Sequence, residues 1–292
     1  MRFLALPVLL ASTAITGAAA PLPLVVAQPL TAVQGQLLIA ALPAGSRDLR
    51  LDDQPLHLDG DGRYMLGVDR DFAGTRALEW VTPDGRSAHR DLVVTARNWD
   101  IDRLPARLMR PADPNAPRNL EYEARRESEV AQVKAARVEI SPWPFWRADF
   151  HWPATGRIST HFGSQRVYGD VSASYHAGMD IAAPHGTPVT SPIPGVVRLA
   201  AGPFALEGNL IIIDHGRGLF SAMMHLSKIN VKVGDIVAQG QKIGAIGSTG
   251  RSTGPHLHWG MTWNGIKVDP EALLPPQPSA APAKDAAGRQ AP

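Results

Sequence analysis

The chain has 292 residues, 44% of them hydrophobic, with 29 basic against 27 acidic side chains and a formal charge of +2. That length and apolar content suffice for two cores of ordinary size and exclude a disordered chain, and the near balance of charge gives no electrostatic footprint for nucleic acid, so no nucleic-acid partner is expected. No cysteine occurs, which excludes a disulfide framework and a thiolate metal site, so any metal must be held by His, Asp or Glu.

In chain order, Arg2 and the apolar stretch Phe3 to Ile15 precede the small residues Gly17-Ala18-Ala19-Ala20, and residues 1–20 read as an export signal, with Pro21 disfavouring a cut directly after Ala20. The stretch is shorter than the roughly 20 apolar residues of a membrane span. The expectation is an exported protein, periplasmic or associated with the cell envelope, with no stable membrane span once the signal is removed. Over 21–98, short apolar runs such as Leu37-Leu38-Ile39-Ala40, Tyr64-Met65-Leu66 and Leu92-Val93-Val94 alternate with turn signals at Pro43-Ala44-Gly45 and Pro83-Asp84-Gly85. This punctuation predicts a β-sandwich-like accessory domain. His57 and His89 within it read as surface residues.

Residues 99–150 read as a linker. Pro105, Pro111, Pro114 and Pro117 break the chain, and Asn119 is placed to cap a charged helix over about 119–138, with Glu121 and Glu123 early and Lys134 and Arg137 late, as the helix dipole prefers. Its charge is spread around the helix, which predicts a solvated spacer. The aromatic segment Trp143, Phe145, Trp146, Phe150 and Trp152 reads as a strap packed over the next domain. That domain spans 151–275, and the Pro- and Ala-rich tail 276–292 carries no periodic pattern and reads as disordered.

The chemistry lies in 151–275. His176 and Asp180 are four residues apart and share a face of an extended segment; His256 and His258 flank Leu257 and share a face of a strand; His225 ends an apolar run that reads as a buried strand. A catalytic zinc needs three protein ligands and an open position, which two histidines and an aspartate supply. Two further histidines then remain for proton transfer and oxyanion stabilisation, as amide hydrolysis requires. His151, His161, His185 and His215 complete no ligand set, although His151 and His161 are placed to border the cleft.

Residues 154–270, about 40% of the chain, resemble the lysostaphin-like, LytM-type zinc metallopeptidases. The resemblance is carried by Gly156-Arg157-Ile158-Ser159, Tyr175-His176-Ala177-Gly178-Met179-Asp180, Gly208-Asn209-Leu210, His225-Leu226-Ser227 and the run from Gly247 to Trp259 that contains His256-Leu257-His258. It implies one Zn2+ held by His176, Asp180 and His258, with His256 as general base on the zinc water and His225 as acid or oxyanion stabiliser. Asn209 and Tyr175, inside matching segments, are the expected substrate contacts. Met223 and Met224, where an aromatic is common in the family, depart from the pattern without touching the metal set.

The fold expected from both lines is mainly all-β: an accessory sandwich, a charged helical connector and a C-terminal antiparallel β-sheet metallopeptidase domain. The activity implied is hydrolysis of peptidoglycan stem-peptide cross-links, as a D,D-endopeptidase. The alternative is a silent peptidoglycan-binding regulator of another hydrolase, with the 119–152 segment lying over the groove. A biotinyl or lipoyl carrier, suggested by the hairpin pattern of Val231 to Gly244, lacks its Met-Lys-Met tip and has no use for these histidines.

Overall fold

A computed structural model describes residues 24–106 and 119–277. The export signal of 1–20, the prolines at 111, 114 and 117, and nearly all of the tail fall outside the described residues.

The strand-and-turn pattern of the N-terminal part closes into two facing sheets. Leu30–Val33, Arg47–Leu51, Gly74–Val81 and Ser87–Thr95 belong to a six-stranded sheet, and Leu37–Ala41 pairs with Arg63–Gly67 in a two-stranded one. In Ser87–Thr95 the side chains of Ala88, Leu92 and Val94 turn inward while Asp91 and Thr95 face water, the period of two that one buried face imposes. With Leu49, Leu66, Leu78 and Trp80 they form one core. His57 and His89 are partly exposed, each bonded to the aspartate two residues on, Asp59 at 2.7 Å and Asp91 at 3.0 Å.

The C-terminal part is a ten-stranded sheet whose pairings are all antiparallel, in the order Arg157–Thr160, Met179–Ala182, His256–Trp263, Leu219–Ile229, Gly208–Asp214, Gly195–Phe204, Ile236–Val237. Leu210 to Ile213 is apolar at every position because both faces are covered. Ile211 and Ile213 enter the main core with Met179, Ile181, Leu257 and Trp259, each fully shielded and contributing about 1.5–3 kcal/mol by burial. Leu210 and Ile212 face the other way, into a second cluster with Leu199, Phe204 and Phe220.

That second cluster corrects the reading of the helix as a solvated spacer. Among the described residues the one α-helix, α1 (Leu120–Ala135), begins as expected, with Asn119 Oδ1 accepting the Tyr122 N–H at 3.0 Å. It then lays Val133 and Ala136 on the cluster and buries Glu129. The pattern hid this because only a narrow stripe is apolar and the rest of the docking is made by charges.

The segment read as linker is also woven into the fold. Ile101–Leu104 pairs in parallel with Gln165–Tyr168. Trp146 and Phe150 of the aromatic strap are buried in the main core, and the strap is tied down by Trp146 N–H to His215 O at 2.9 Å. The sandwich shares that core through Leu37 and Met65 and is joined to the peptidase sheet by Arg97 to Asp269 at 2.5 Å and by Arg147 to Asp59 and Asp61. No helix among the described residues is long and apolar enough to cross a membrane.

His215 is a buried structural residue. Its Nδ1–H donates to Pro194 O at 2.8 Å and its Nε2 accepts from Ser221 Oγ at 2.8 Å, while Trp259 Nε1–H also donates to that hydroxyl. Burial pulls its pKa down to about 4. A base whose folded pKa lies below its unfolded value binds more protons when unfolded, so stability is present above about pH 6.5 and is lost as pH falls toward 4, by roughly 3 kcal/mol. The expected result is that His215→Asn, which keeps a donor for Pro194 O, flattens the fall of Tm between those pH values; an unchanged slope would remove His215 as its cause.

Candidate metal centre

Strand register assembles the centre. Asp180 lies directly opposite His258 in the antiparallel pair, and Ala182 opposite His256, so one carboxylate and two imidazoles share one face of the sheet while Ile181 and Leu257 enter the core. The next strand, Leu219–Ile229, sets Met224 beside His258. His176 arrives differently from the extended-segment expectation. The strand begins only at Met179, and His176 sits in the preceding loop, held by its N–H to Ser164 O at 2.8 Å and by Gly163 N–H to its own carbonyl at 2.9 Å.

The result is a triangle: His176 Nε2 to Asp180 Oδ1 is 3.0 Å, His176 Nε2 to His258 Nδ1 is 2.9 Å, and His258 Nδ1 to Asp180 Oδ1 is 2.9 Å. His176 Nδ1–H donates to His161 O at 3.1 Å, which turns the Nε2 lone pair of the neutral ring toward the carboxylate. Three electron-rich atoms so placed repel one another unless a cation lies among them, and one proton bonds well to only one partner at a time. The electrostatics agree. Burial pushes Asp180 upward, but the bonds from His176 and His258 outweigh it and hold the carboxyl well below its usual range. His176 is drawn down by burial yet raised overall by Asp180, while burial lowers His258. The group therefore calls for positive charge at its centre, and two imidazoles with a carboxylate, all partly exposed on one side, match the donor set of an open zinc site.

Two more imidazoles face the triangle. His256 Nδ1 is 2.9 Å from Gly254 O and 3.2 Å from Ser252 Oγ, and its Nε2 lies 3.9 Å from Asp180 Oδ1. His225 Nδ1–H donates to Thr249 O at 2.9 Å, and its ring centroid is 4.7 Å from that of His256 and 6.2 Å from that of His258. Burial lowers the His225 pKa, so its ring is neutral near pH 7. Its backbone is at φ 62°, left-handed for a non-glycine residue, within a bulge where Met224 and His225 stand against Leu210 alone. Nothing in the sequence run Ala222 to Ser227 signals this bulge.

Five of the expected residues, His176, Asp180, His225, His256 and His258, are thus brought together. Asn209 spends its side-chain amide on Leu226 O at 2.8 Å, next to His225 in the chain, and the Tyr175 ring centroid is 4.8 Å from the Arg70 guanidinium and 5.1 Å from Lys267 Nζ. His161 supplies a backbone carbonyl to the centre, and its ring bonds Glu271 at 2.7 Å. The carbonyls of His161, Thr249 and Gly254 escaped the sequence reading because a carbonyl has no residue type.

Gly178 leaves room for the ligands. A Cβ there would lie 2.5 Å from Trp259 O and 2.8 Å from His258 Nε2. Gly178→Ala is expected to displace His258 and weaken zinc binding about 10- to 100-fold, read by competition with a chelator dye; wild-type affinity would show that the strand yields without moving the ligand.

Residues 174–270 match the profile of Peptidase family M23. The peptidoglycan DD-endopeptidase ShyA of Vibrio cholerae is 41% identical over 133 residues, 45% of this chain and 30% of that protein, so the chain spans under a third of that relative's length. The crystal structure of a peptidase M23 from Pseudomonas aeruginosa, itself named only by family, has 28% identity and a TM-score of 0.60, covering 82% of this chain and 94% of that one. The catalytic domain of lysostaphin from Staphylococcus simulans is 35% identical over 40% of this chain and 90% of that domain, with a TM-score of 0.36. Residues 174–270, which hold the metal-donor segment and the strands around it, thus form a Peptidase family M23 domain.

Proposed function

We propose that the chain is a zinc metalloendopeptidase of the cell envelope that hydrolyses peptide cross-links of peptidoglycan, acting as a D,D-endopeptidase. The observation that carries the reading is the convergence of His176, Asp180 and His258 on one point with two carbonyl-anchored histidines beside them. His176 Nε2, Asp180 Oδ1 and His258 Nδ1 would hold the metal. A zinc ion bound there supplies Lewis acidity, lowering the pKa of a water from about 15.7 toward 7 and polarising a carbonyl.

The other roles belong to the protein. With its Nδ1–H given to Gly254 O, His256 presents an unprotonated Nε2 to the triangle and acts as the general base that takes a proton from the attacking water. Thr249 O fixes the same tautomer in His225, so that Nε2 also starts as an acceptor. His225 therefore donates to the oxyanion or the leaving amine only after taking up the second proton of the attacking water, the first having gone to His256, which makes it a base before it is an acid. Tyr175, next to His176, is assigned to the rim of the substrate groove, whereas Asn209, its amide spent on Leu226 O, is assigned to holding the strand next to His225. The bond assignment draws support from ShyA, a peptidoglycan DD-endopeptidase by name.

The export signal read in residues 1–20 fits an envelope location. As for a silent regulator with its groove covered by the 119–152 segment, α1 bonds Pro203, Ala205 and Glu207, and the strap bonds Asp59, Asp61, Pro192, His215 and Pro275, none of which belongs to the donor triangle. The test is digestion of purified sacculi by the exported form of the chain, with a chelator and with zinc restored, followed by separation of the muropeptides. Zinc-dependent conversion of cross-linked dimers to monomers supports the reading; sacculi bound but never cleaved would favour the regulator.

A further inference from the structure

The tip of the hairpin joining Gly195–Phe204 to Gly208–Asp214 is gripped from two sides. On the side of the metal centre, Glu207 O accepts the His225 N–H at 2.9 Å, and Leu206 O accepts the Arg251 N–H at 2.9 Å, in the turn whose Thr249 O holds the His225 ring. Gly208, at φ +65°, lets the two turns touch: a Cβ there would lie 2.3 Å from Thr249 Oγ1. The tip thus fixes both the backbone and the ring of a histidine in a conformation that a non-glycine residue leaves readily, because the left-handed region costs of order 1–3 kcal/mol.

On the outer side, α1 holds the same tip at successive points. Arg125 Nη2 donates to Pro203 O at 2.8 Å, Glu129 Oε1 accepts the Ala205 N–H at 2.9 Å, and Arg126 bonds both oxygens of Glu207 at 2.7 and 3.1 Å. Arg126 also bonds Glu129 at 2.6 Å. The Glu129 side chain is only 6% exposed, and a carboxylate is withdrawn from water to that extent only when it is fully paired. The apolar contact of Val133 and Ala136 would dock the helix without any of these charges. What the charges add to the apolar contact with the Phe204 cluster is a set of directional bonds to Pro203, Ala205 and Glu207.

We infer that Arg126 is a positioning residue for His225: its two-pronged bond to Glu207, braced by Glu129, holds the hairpin tip so that the Glu207 carbonyl keeps His225 in its left-handed, site-facing conformation. The helix that leads into the peptidase domain is then part of the catalytic apparatus at one remove. This rests on the reading of His225 as a proton carrier, but its structural half stands independently of it.

The test uses the zinc-loaded full chain and three variants: Arg126→Ala, the isosteric Glu207→Gln, and the exchanged pair Arg126→Glu with Glu207→Arg. Two quantities are followed, hydrogen exchange of the His225 amide by NMR and kcat and KM on a cross-linked muropeptide dimer. Arg126→Ala should speed His225 exchange and lower kcat, each about tenfold, with KM and zinc stoichiometry unchanged. Glu207→Gln should shift both in the same direction by less, and the exchanged pair should recover part of each. Wild-type exchange at His225 in Arg126→Ala or, should that variant not fold, in Glu207→Gln, overturns the inference, as does a fall in kcat matched by loss of zinc. If the wild-type chain cleaves nothing, the proposed function fails, while the exchange measurement still decides the inference.

Discussion

His258→Ala is expected to bind no zinc after dialysis and to cleave cross-linked muropeptides at least about a thousandfold more slowly than the wild type, a loss of roughly 4 kcal/mol in transition-state stabilisation. The size follows from its place in the triangle. His258 Nδ1 lies 2.9 Å from both other donors, directly across the ladder from Asp180, so its removal takes the ligand count from three to two. Asp180 keeps His176 as a partner at 3.0 Å, so the chain should still fold. Zinc per chain by atomic absorption, beside turnover, checks the result. A variant that retained one zinc and wild-type turnover would place the metal elsewhere.

His256→Ala is expected to do the opposite with the metal and nearly the same with the rate. The ring is anchored by Gly254 O, and its Nε2 is 3.9 Å from Asp180 Oδ1, beyond the close contacts within the triangle, so zinc should remain at one per chain. The rate should fall by about 10²–10⁴, the usual worth of a positioned general base. Single-turnover cleavage of a muropeptide dimer, with zinc content measured on the same sample, separates the two effects. Loss of zinc alongside activity would make His256 a ligand, and a rate near wild type would hand the base role to His225.

Particular residues show why the centre could be read before the fold. A ligand set needs chemically distinct side chains at spacings that the strand period turns to one face, and His256-Leu257-His258 satisfies this by local geometry alone: any extended backbone puts both imidazoles together and Leu257 behind them. His176 and Asp180 meet for a partly different reason, since His176 lies in a loop that two backbone hydrogen bonds set in place. The helix reading failed where the pattern was least informative. A charged helix looks solvated in sequence, whereas Arg125, Arg126 and Glu129 find their partners about 80 residues away, in a hairpin that becomes a neighbour only after the sheet has formed.

The sequence by itself determined the β architecture, the absence of thiolate chemistry and the identity of the five residues at the centre, because composition and period-two patterning are local properties that survive any long-range arrangement. Tertiary structure alone decided which carbonyls orient the imidazoles, that His225 occupies a left-handed bulge, that the sandwich shares its core with the peptidase sheet, and that α1 grips the turn behind the site. Each of these depends on contacts between segments distant in the chain, and the backbone carbonyls that make many of them are the same chemical group in every residue.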